Sequence, residues 1–222
     1  MKLLSINVSL PKDITFRGRT VNTGIFKEPV AGRVLLKRLN LDGDGQADLL
    51  VHGGVYKAVY VYSIENYAYW KKELNRDDFA YAQFGENFTV DGMLETDIHI
   101  GDVFRLGTAL VEVSQPRVPC YKLGIKMDST QFLKPFLKSC RVGFYLRVLE
   151  EGEVGAGDEF ALVTSDPIQM SVHQVCHLYY FDRTNMEDRL QAIRIEALSP
   201  GWREGLEDQL SAAGYSIDRM DG

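Results

Sequence analysis

The chain has 222 residues with 25 Lys plus Arg and 31 Asp plus Glu, for a formal charge of -6. This length suffices for one large domain, or one domain with an appended piece, and for a real core. The N-terminal apolar run is too short for a secretory signal, no other stretch could span a bilayer, and three cysteines without paired spacing require no disulfide framework. We therefore expect a soluble cytoplasmic protein with reduced thiols and no membrane contact.

The negative charge is concentrated towards the C-terminus. Residues 166–222 contain five Arg, no Lys and ten Asp plus Glu, a net charge of -5, whereas the preceding part carries only -1. An acidic segment repels phosphate backbones, so nucleic acid is not an expected partner. Any anion site is expected in the first, nearly neutral part.

Up to about Val163 the sequence is typical of short strands separated by glycine turns. One helix is expected at 63–74, with Ser63 as its cap and apolar residues at helical spacing. Many short antiparallel strands with few helices predict a mainly β fold, a β-barrel. The strand candidates are GRVLLKRLNL (32–41), KAVYVYS (57–63), GDVFRLGTALVEVSQ (101–115) as a hairpin around Gly107, and GFYLRVLEEGEVGAGDEFALV (143–163) as a second hairpin.

The hydrophobic period changes after TSDP at 164–167. The segments 171–181 and 185–198 and the segment that begins at Pro200 have apolar residues at helical spacing, and predict three short helices. The sequence therefore predicts two domains: a β-barrel domain at 1–165, with its core at 22–163, and a small C-terminal three-helix domain at 166–222.

The candidate reactive residue is Cys120, in the stretch SQPRVPCYKL. Pro116 and Pro119 fix the backbone on both sides of Arg117, so the thiol lies on a loop held in one shape. Arg117 and Lys122 would stabilise a thiolate nearby, and the thiolate is the form that attacks electrophiles or binds a soft metal. The alternative is a buried cysteine that serves as a small apolar residue.

A second polar cluster is DLLVHGG, followed by Lys57. His52 precedes Gly53 and Gly54, and such a turn can leave backbone amides open to a phosphate or another oxyanion, with Lys57 supplying charge. The alternative is a tight turn in which His52 only caps the backbone.

Two further polar patterns are weaker signals. Glu86 and Asn87 directly follow a glycine and are typical of a polar turn that enters a strand. His173, Cys176 and His177 form H-x-x-C-H, but Cys176 belongs to the apolar stripe that the histidines flank, so a packed helix is favoured over a metal site. The sequence has no GxSxG, Walker loop, HExxH or GxGxxG after a strand, which argues against the commonest hydrolases, kinases and dehydrogenases.

Five segments in series resemble the MOSC-domain proteins and, within them, the YiiM-like branch, whose members carry a short C-terminal three-helix domain. The resemblance covers nearly the whole chain. The segments are VNTGIFKEPV (21–30), LNLDGDGQADLLVHGGVYKAVYVYSIENYAYW (39–70), FGENFTVDG (84–92), IGDVFRLG (100–107) and VSQPRVPCYKL (113–123).

This resemblance implies a β-barrel that binds the molybdenum cofactor in its molybdopterin form, with Cys120 as the ligand to molybdenum. It implies detoxifying reduction of N-hydroxylated compounds, such as 6-N-hydroxylaminopurine and other base analogues, to amines. It also implies a separate electron-donating reductase and, at family level, pyridoxal phosphate binding. The proton-donor candidates are His52 and Asp48. The expected cofactor-binding residues are Lys57, His52, Gly53, Gly54, Glu86, Asn87, Arg117 and Lys122.

Two other functions remain compatible with these residues. One is a cofactor or sulfur carrier that holds a persulfide on Cys120. The other is a metal-free thiol enzyme that uses Cys120 as nucleophile and His52 as base. The acidic helical segment can cover the site, dimerise, dock the electron donor or simply face solvent.

Overall fold

The computed structural model describes residues 1–48 and 53–216. Short 3-10 turns cover Val55–Lys57 and Thr130–Phe132. The strands are β1 (Lys2–Val8), β2 (Lys12–Phe16), β3 (Arg19–Thr23), β4 (Glu28–Pro29), β5 (Arg33–Leu36), β6 (Val59–Ser63), β7 (Phe88–Asp91), β8 (Val103–Leu106), β9 (Ala109–Pro116), β10 (Phe144–Glu150), β11 (Gly152–Gly155) and β12 (Phe160–Thr164). The α-helices are α1 (Ile64–Leu74), α2 (Tyr121–Lys126), α3 (Leu133–Lys138), α4 (Val172–Tyr180), α5 (Met186–Ala192) and α6 (Pro200–Ala212).

Eight strands form one sheet in the order β12-β8-β9-β10-β6-β7-β1-β4. The sheet curls into a half-barrel. Hydrogen bonds join the N-terminal end of the chain to the start of β12: the N–H of Leu3 donates to the carbonyl of Asp158 at 2.9 Å, and the N–H of Phe160 donates to the carbonyl of Met1 at 3.1 Å. β6 and β7 pair in parallel because helix α1 provides the crossover between them. The predicted mainly β, barrel-like fold is confirmed.

Strand β6 is buried on both faces, and this separates two hydrophobic clusters. Val59 and Val61 point into the barrel core, whereas Tyr60 and Tyr62 point to the opposite face, towards helix α1. There the indole N–H of Trp70 donates to the Tyr62 hydroxyl at 2.9 Å. The predicted helix at 63–74 is confirmed, although the Ser63 hydroxyl bonds the Glu65 carboxylate instead of capping the backbone.

The hairpin around Gly107 is confirmed, since Leu106 pairs with Ala109. The second predicted hairpin, at 143–163, is wrong in its pairing. Its three strands exist, but β10 pairs with β9 and β6, β11 pairs with β5, and β12 pairs with β8. Gly152 allows this crossing, because a Cβ there would lie 2.5 Å from the backbone nitrogen of Ala109. The strand predicted at 32–41 is shorter, Arg33–Leu36.

The three C-terminal helices are present, and the second ends earlier than predicted. Helix α5 stops at Ala192, and Arg203 of α6 donates to the carbonyls of Ile195 at 2.9 Å and Leu198 at 3.2 Å in the turn that follows. Trp202 of the same helix joins the barrel core cluster, so the helices and the barrel share one core. Helices α2 and α3, in the connection from β9 to β10, were not predicted. None of the described helices is both long and apolar enough to cross a membrane.

Candidate functional site

An open pocket lies at one end of the half-barrel. Clefts into which several polar and charged groups converge commonly hold cofactors and small ligands. Segments from six parts of the chain form its wall: Thr23 to Ile25 with Lys27, the 44–47 turn, Lys57 with Tyr60, Gly85 with Asn87, the 117–122 connection, and Tyr145 of β10. Strand ends and loops that are distant in sequence therefore meet at the same opening.

Cys120 lies on this wall and is partly exposed. It immediately precedes helix α2 with an extended backbone, φ -110° and ψ 167°, and its carbonyl accepts a hydrogen bond from the N–H of Leu123 at 3.0 Å. The other two cysteines are in the core, with Cys140 1% and Cys176 0% exposed. Cys120 is therefore the thiol that a ligand in the pocket can reach, and the buried-cysteine alternative does not fit it.

Arg117 is the most unusual group of the pocket. Its side chain is 5% exposed, and its guanidinium lies 4.8 Å from the ring centre of Tyr60 and 5.7 Å from that of Phe136. Burial disfavours the charged form, but the interactions with Tyr60, Tyr145 and Cys120 outweigh it and hold the pKa of Arg117 above its usual value. Its Nη1 has no hydrogen-bond partner within the described residues. A buried charged donor of this kind is suited to an anion.

The pocket wall has an excess of positive charge. Lys27, Lys57, Arg117 and Lys122 face one carboxylate, Asp44, which forms an ion pair with Lys27. Burial lowers the pKa of Lys27 despite the opposing effect of Asp44, and burial also lowers the pKa of Lys57. Because Asp44 is engaged by Lys27, the remaining cations favour an anionic ligand.

A buried hydrogen-bond network fixes one side of the pocket. Asp44 accepts from the N–H of Ser9 at 2.9 Å and from the side-chain amide of Asn87 at 2.8 Å. The Asn87 side chain also accepts from the N–H of Tyr60 at 3.1 Å and donates to the carbonyl of Asn7 at 3.2 Å. Asn87 is thus occupied by protein groups, and its role is to position the wall.

The structure brings five of the predicted site residues to one pocket: Lys57, Asn87, Arg117, Cys120 and Lys122. Gly53 and Gly54 line a neighbouring groove instead. Asp48 is exposed and directly follows the wall residue Ala47. His52 lies outside the described residues.

The structure places Glu86 away from the pocket wall. It is 0% exposed, and its carboxylate accepts from the hydroxyl of Tyr67 and from Thr89 at 2.9 Å. The N–H groups of Ala82 and Phe84 also donate to it, both at 3.0 Å. All four donors are protein groups, so the Glu86 carboxylate holds the turn before β7 in place.

Sequence reasoning missed several wall residues, among them Lys27, Asp44, Tyr60 and Tyr145. Lys27 and Asp44 lie inside segments that resemble the MOSC family, at 21–30 and 39–70, but no local pattern marked either of them as functional. Their importance comes from an ion pair between two loops.

The H-x-x-C-H helix has two separate faces. Cys176 is fully buried and packs in the same core cluster as Cys140, whereas the rings of His173 and His177 stack with centres 6.1 Å apart at 9°. Burial is the main cause that lowers the pKa of His173, and the neighbouring His177 and Arg141 lower it further. Among the described residues no group of three or more His, Cys, Asp or Glu side chains could hold a metal ion.

The fold and this pocket define a MOSC-type protein with an added helical domain. The sequence matches the MOSC domain family over residues 48–161 and the "YiiM-like, 3-alpha helix domain" family over residues 170–213. The chain therefore belongs to the MOSC-domain family and to its YiiM-like branch, which confirms the resemblance. MOSC domains are associated, at family level, with binding of the molybdenum cofactor.

Three known proteins place the chain more closely. YflK of Bacillus subtilis (strain 168) is 42% identical over 201 residues, 90% of each chain. The crystal structure of YiiM from Geobacillus stearothermophilus superposes with a TM-score of 0.79 at 36% identity and covers 94% of this chain and 98% of that one. A protein of Gibberella moniliformis (strain M3125 / FGSC 7600) named "Reductase" is 32% identical over 149 residues, 66% of this chain and 26% of that protein.

Proposed function

We propose that this protein is a molybdenum-cofactor-dependent oxidoreductase that reduces N-hydroxylated compounds to amines. The observation that carries the proposal is the pairing, in one pocket, of the partly exposed Cys120 thiol with a buried Arg117 whose Nη1 has no partner among the described residues. The reductase name of the Gibberella relative supports the oxidoreductase class.

The residues of the pocket fit the cofactor. A thiolate is a soft donor that suits molybdenum, so Cys120 is the proposed ligand. Arg117, Lys57 and Lys122 would hold the phosphate and the polar pterin, because charged donors bind phosphate oxygens strongly. When bound, the cofactor supplies two-electron redox chemistry at the metal.

The chain itself provides geometry and protons. Reduction of an N–OH group consumes two electrons and two protons and yields the amine and water, with the electrons supplied by a separate reductase protein. Burial, opposed by Arg117, raises the pKa of Tyr145, so its phenolic hydroxyl stays protonated at neutral pH and can donate a hydrogen bond in the pocket. Asp48 and His52 are the proposed proton donors.

The test compares the wild type with Cys120→Ala and with Cys176→Ala as the matched control, since Cys176 is a core cysteine remote from the pocket wall. All three are produced in a host that makes the cofactor and is supplied with molybdate. We expect molybdenum, and reduction of N-hydroxylated bases by a reduced viologen dye, in the wild type and the control but not in Cys120→Ala. A folded Cys120→Ala protein that keeps both metal and activity would refute the proposal.

The exposure of Cys120 beside Arg117 also suits a second candidate, a carrier that holds sulfur on Cys120 as a persulfide. Intact-protein mass spectrometry separates the two candidates. Wild-type protein that lacks molybdenum, does not reduce N-hydroxylated bases and carries an extra sulfur atom on Cys120 would favour the carrier.

A further inference from the structure

A second, open groove adjoins the Cys120 pocket. The two cavities share Lys57 and Val118 as wall residues. Gln115 and the Val55–Lys57 turn bound the groove on the barrel side. The opposite wall comes from the C-terminal domain and consists of Tyr179, Tyr180 and the start of α6 from Ser199 to Trp202.

The C-terminal wall contains three aromatic residues in fixed positions: Tyr179 and Tyr180 are partly exposed, whereas Trp202 is 6% exposed and also belongs to the barrel core. The ring of Trp202 lies 4.7 Å from that of Tyr179 and 6.0 Å from that of Tyr180, centre to centre. Tyr179 packs directly on Gly205 of α6, where a Cβ would lie 2.4 Å from the tyrosine hydroxyl. Gln209 of the same helix donates to the Tyr179 carbonyl at 3.2 Å. The aromatic surface is therefore preorganised by the packing of α4 on α6.

Such a surface selects flat ring ligands. Aromatic side chains bind planar rings through offset or edge-to-face contacts, and ligand sites combine apolar walls with a few polar groups. Gln115 and Ser199 are the nearly buried polar residues of this groove, at 3% and 4% exposure. Because Lys57 and Val118 belong to both cavities, one molecule can place a ring in the groove and a polar substituent in the Cys120 pocket.

We propose that the groove is the substrate-specificity subsite, in which Tyr179 and Tyr180, held in place by Trp202, bind the planar aromatic ring of an N-hydroxylated substrate. The proposal rests on the reductase function proposed above. It gives the C-terminal helices a defined task, the selection of aromatic over small aliphatic N-hydroxylated compounds.

Gly201 offers a clean perturbation of the groove. It lies in the first turn of α6, and a Cβ there would meet no atom within 4 Å. In Gly201→Leu, the leucine side chain therefore extends from the groove wall into open space and does not clash with core residues. Glu204→Leu is the matched control, because Glu204 is exposed on the same helix and is not part of the groove wall.

The first readout is equilibrium dialysis of 6-N-hydroxylaminopurine against cofactor-free protein, which requires neither metal nor turnover. We expect Gly201→Leu to bind about tenfold more weakly than the wild type, since the leucine side chain obstructs the aromatic surface, and Glu204→Leu to bind like the wild type. Absence of binding by the wild type, or equal binding by all three proteins, would overturn the subsite.

The second readout uses the molybdenum-loaded enzymes. We expect Gly201→Leu to lose about tenfold in kcat/KM for 6-N-hydroxylaminopurine but not for hydroxylamine, which has no ring. Equal losses for both compounds, or molybdenum content that falls in Gly201→Leu, would overturn the subsite. If the wild type contains no molybdenum and reduces neither compound, the proposed function fails, and the dialysis result still decides whether the groove binds the ring.

Discussion

Replacing Arg117 by methionine tests whether this arginine serves the ligand or the fold. Methionine has a similar length and fits the space between the rings of Tyr60 and Phe136, but it removes the charge and the donor at Nη1. The backbone hydrogen bond from the N–H of Arg117 to the carbonyl of Gly143, at 3.1 Å, is retained. The change therefore isolates the guanidinium.

Opposing effects on stability nearly cancel in the cofactor-free protein. A buried donor without a partner costs about 1–3 kcal/mol, so its removal stabilises the fold. Loss of the two cation–π contacts costs about 0.5–2 kcal/mol each. We expect the free energy of unfolding to stay within about 1 kcal/mol of the wild type. Cofactor binding has no such compensation, because a hydrogen bond to a charged group contributes about 1.5–3 kcal/mol, or roughly 10- to 100-fold in affinity.

The assay combines urea unfolding of cofactor-free protein with the rate at which loaded protein releases its pterin during dialysis, followed by pterin fluorescence. Arg141→Met is the control, because Arg141 also lies over a ring, 4.6 Å from the centre of Tyr69, but donates to Asn66 at 2.9 Å. We expect that variant to lose about 1–2 kcal/mol of stability and to keep its cofactor. If Arg117→Met instead loses more than about 3 kcal/mol and retains cofactor like the wild type, Arg117 is a structural residue.

Two further variants separate fold from function. Glu86→Gln should lower the free energy of unfolding by about 2–3 kcal/mol, because the single oxygen of an amide cannot accept from all four donors. Cofactor retention should stay unchanged in this variant. Lost cofactor with unchanged stability would show that Glu86 binds the cofactor. Burial lowers the pKa of Lys126 to about 8. An unfolded lysine stays protonated up to about pH 10.4, so the wild type should gain stability relative to Lys126→Met, by about 1–3 kcal/mol, as the pH rises from 8 to 10.5. Urea unfolding at both pH values measures this difference, and parallel curves for the two proteins would contradict it.

The sequence predicted strands better than it predicted their partners. The hairpin around Gly107 has a local signal, since Gly107 and Thr108 form a two-residue turn between the paired Leu106 and Ala109. Strand β11 instead pairs with β5, residue for residue from Gly152 opposite Leu36 to Gly155 opposite Arg33, across more than 100 residues of chain. Alternation of apolar residues identifies a strand and its buried face, but long-range pairing depends on how the whole sheet curls.

The site was predictable where its residues are neighbours in sequence. Arg117, Cys120 and Lys122 stand within six positions, so their charges and the flanking prolines could be read together. Glu86 and Asn87, directly before β7, show the limit of this reasoning, because adjacent residues of an extended segment point in opposite directions. The Glu86 carboxylate accepts hydrogen bonds from buried donors, whereas Asn87 lies on the pocket wall.

Tyr60 explains why the positive charge of the pocket persists. Its N–H donates to Asn87, whose amide holds Asp44, and Asp44 is committed to Lys27. The same residue presents its ring to the guanidinium of Arg117. Asp44, the carboxylate of the pocket wall, thus stays paired with Lys27. The uncharged ring of Tyr60 supports the guanidinium of Arg117 without neutralising its charge. Because no local pattern in the sequence specifies this division, the excess positive charge of the pocket is a property of the fold.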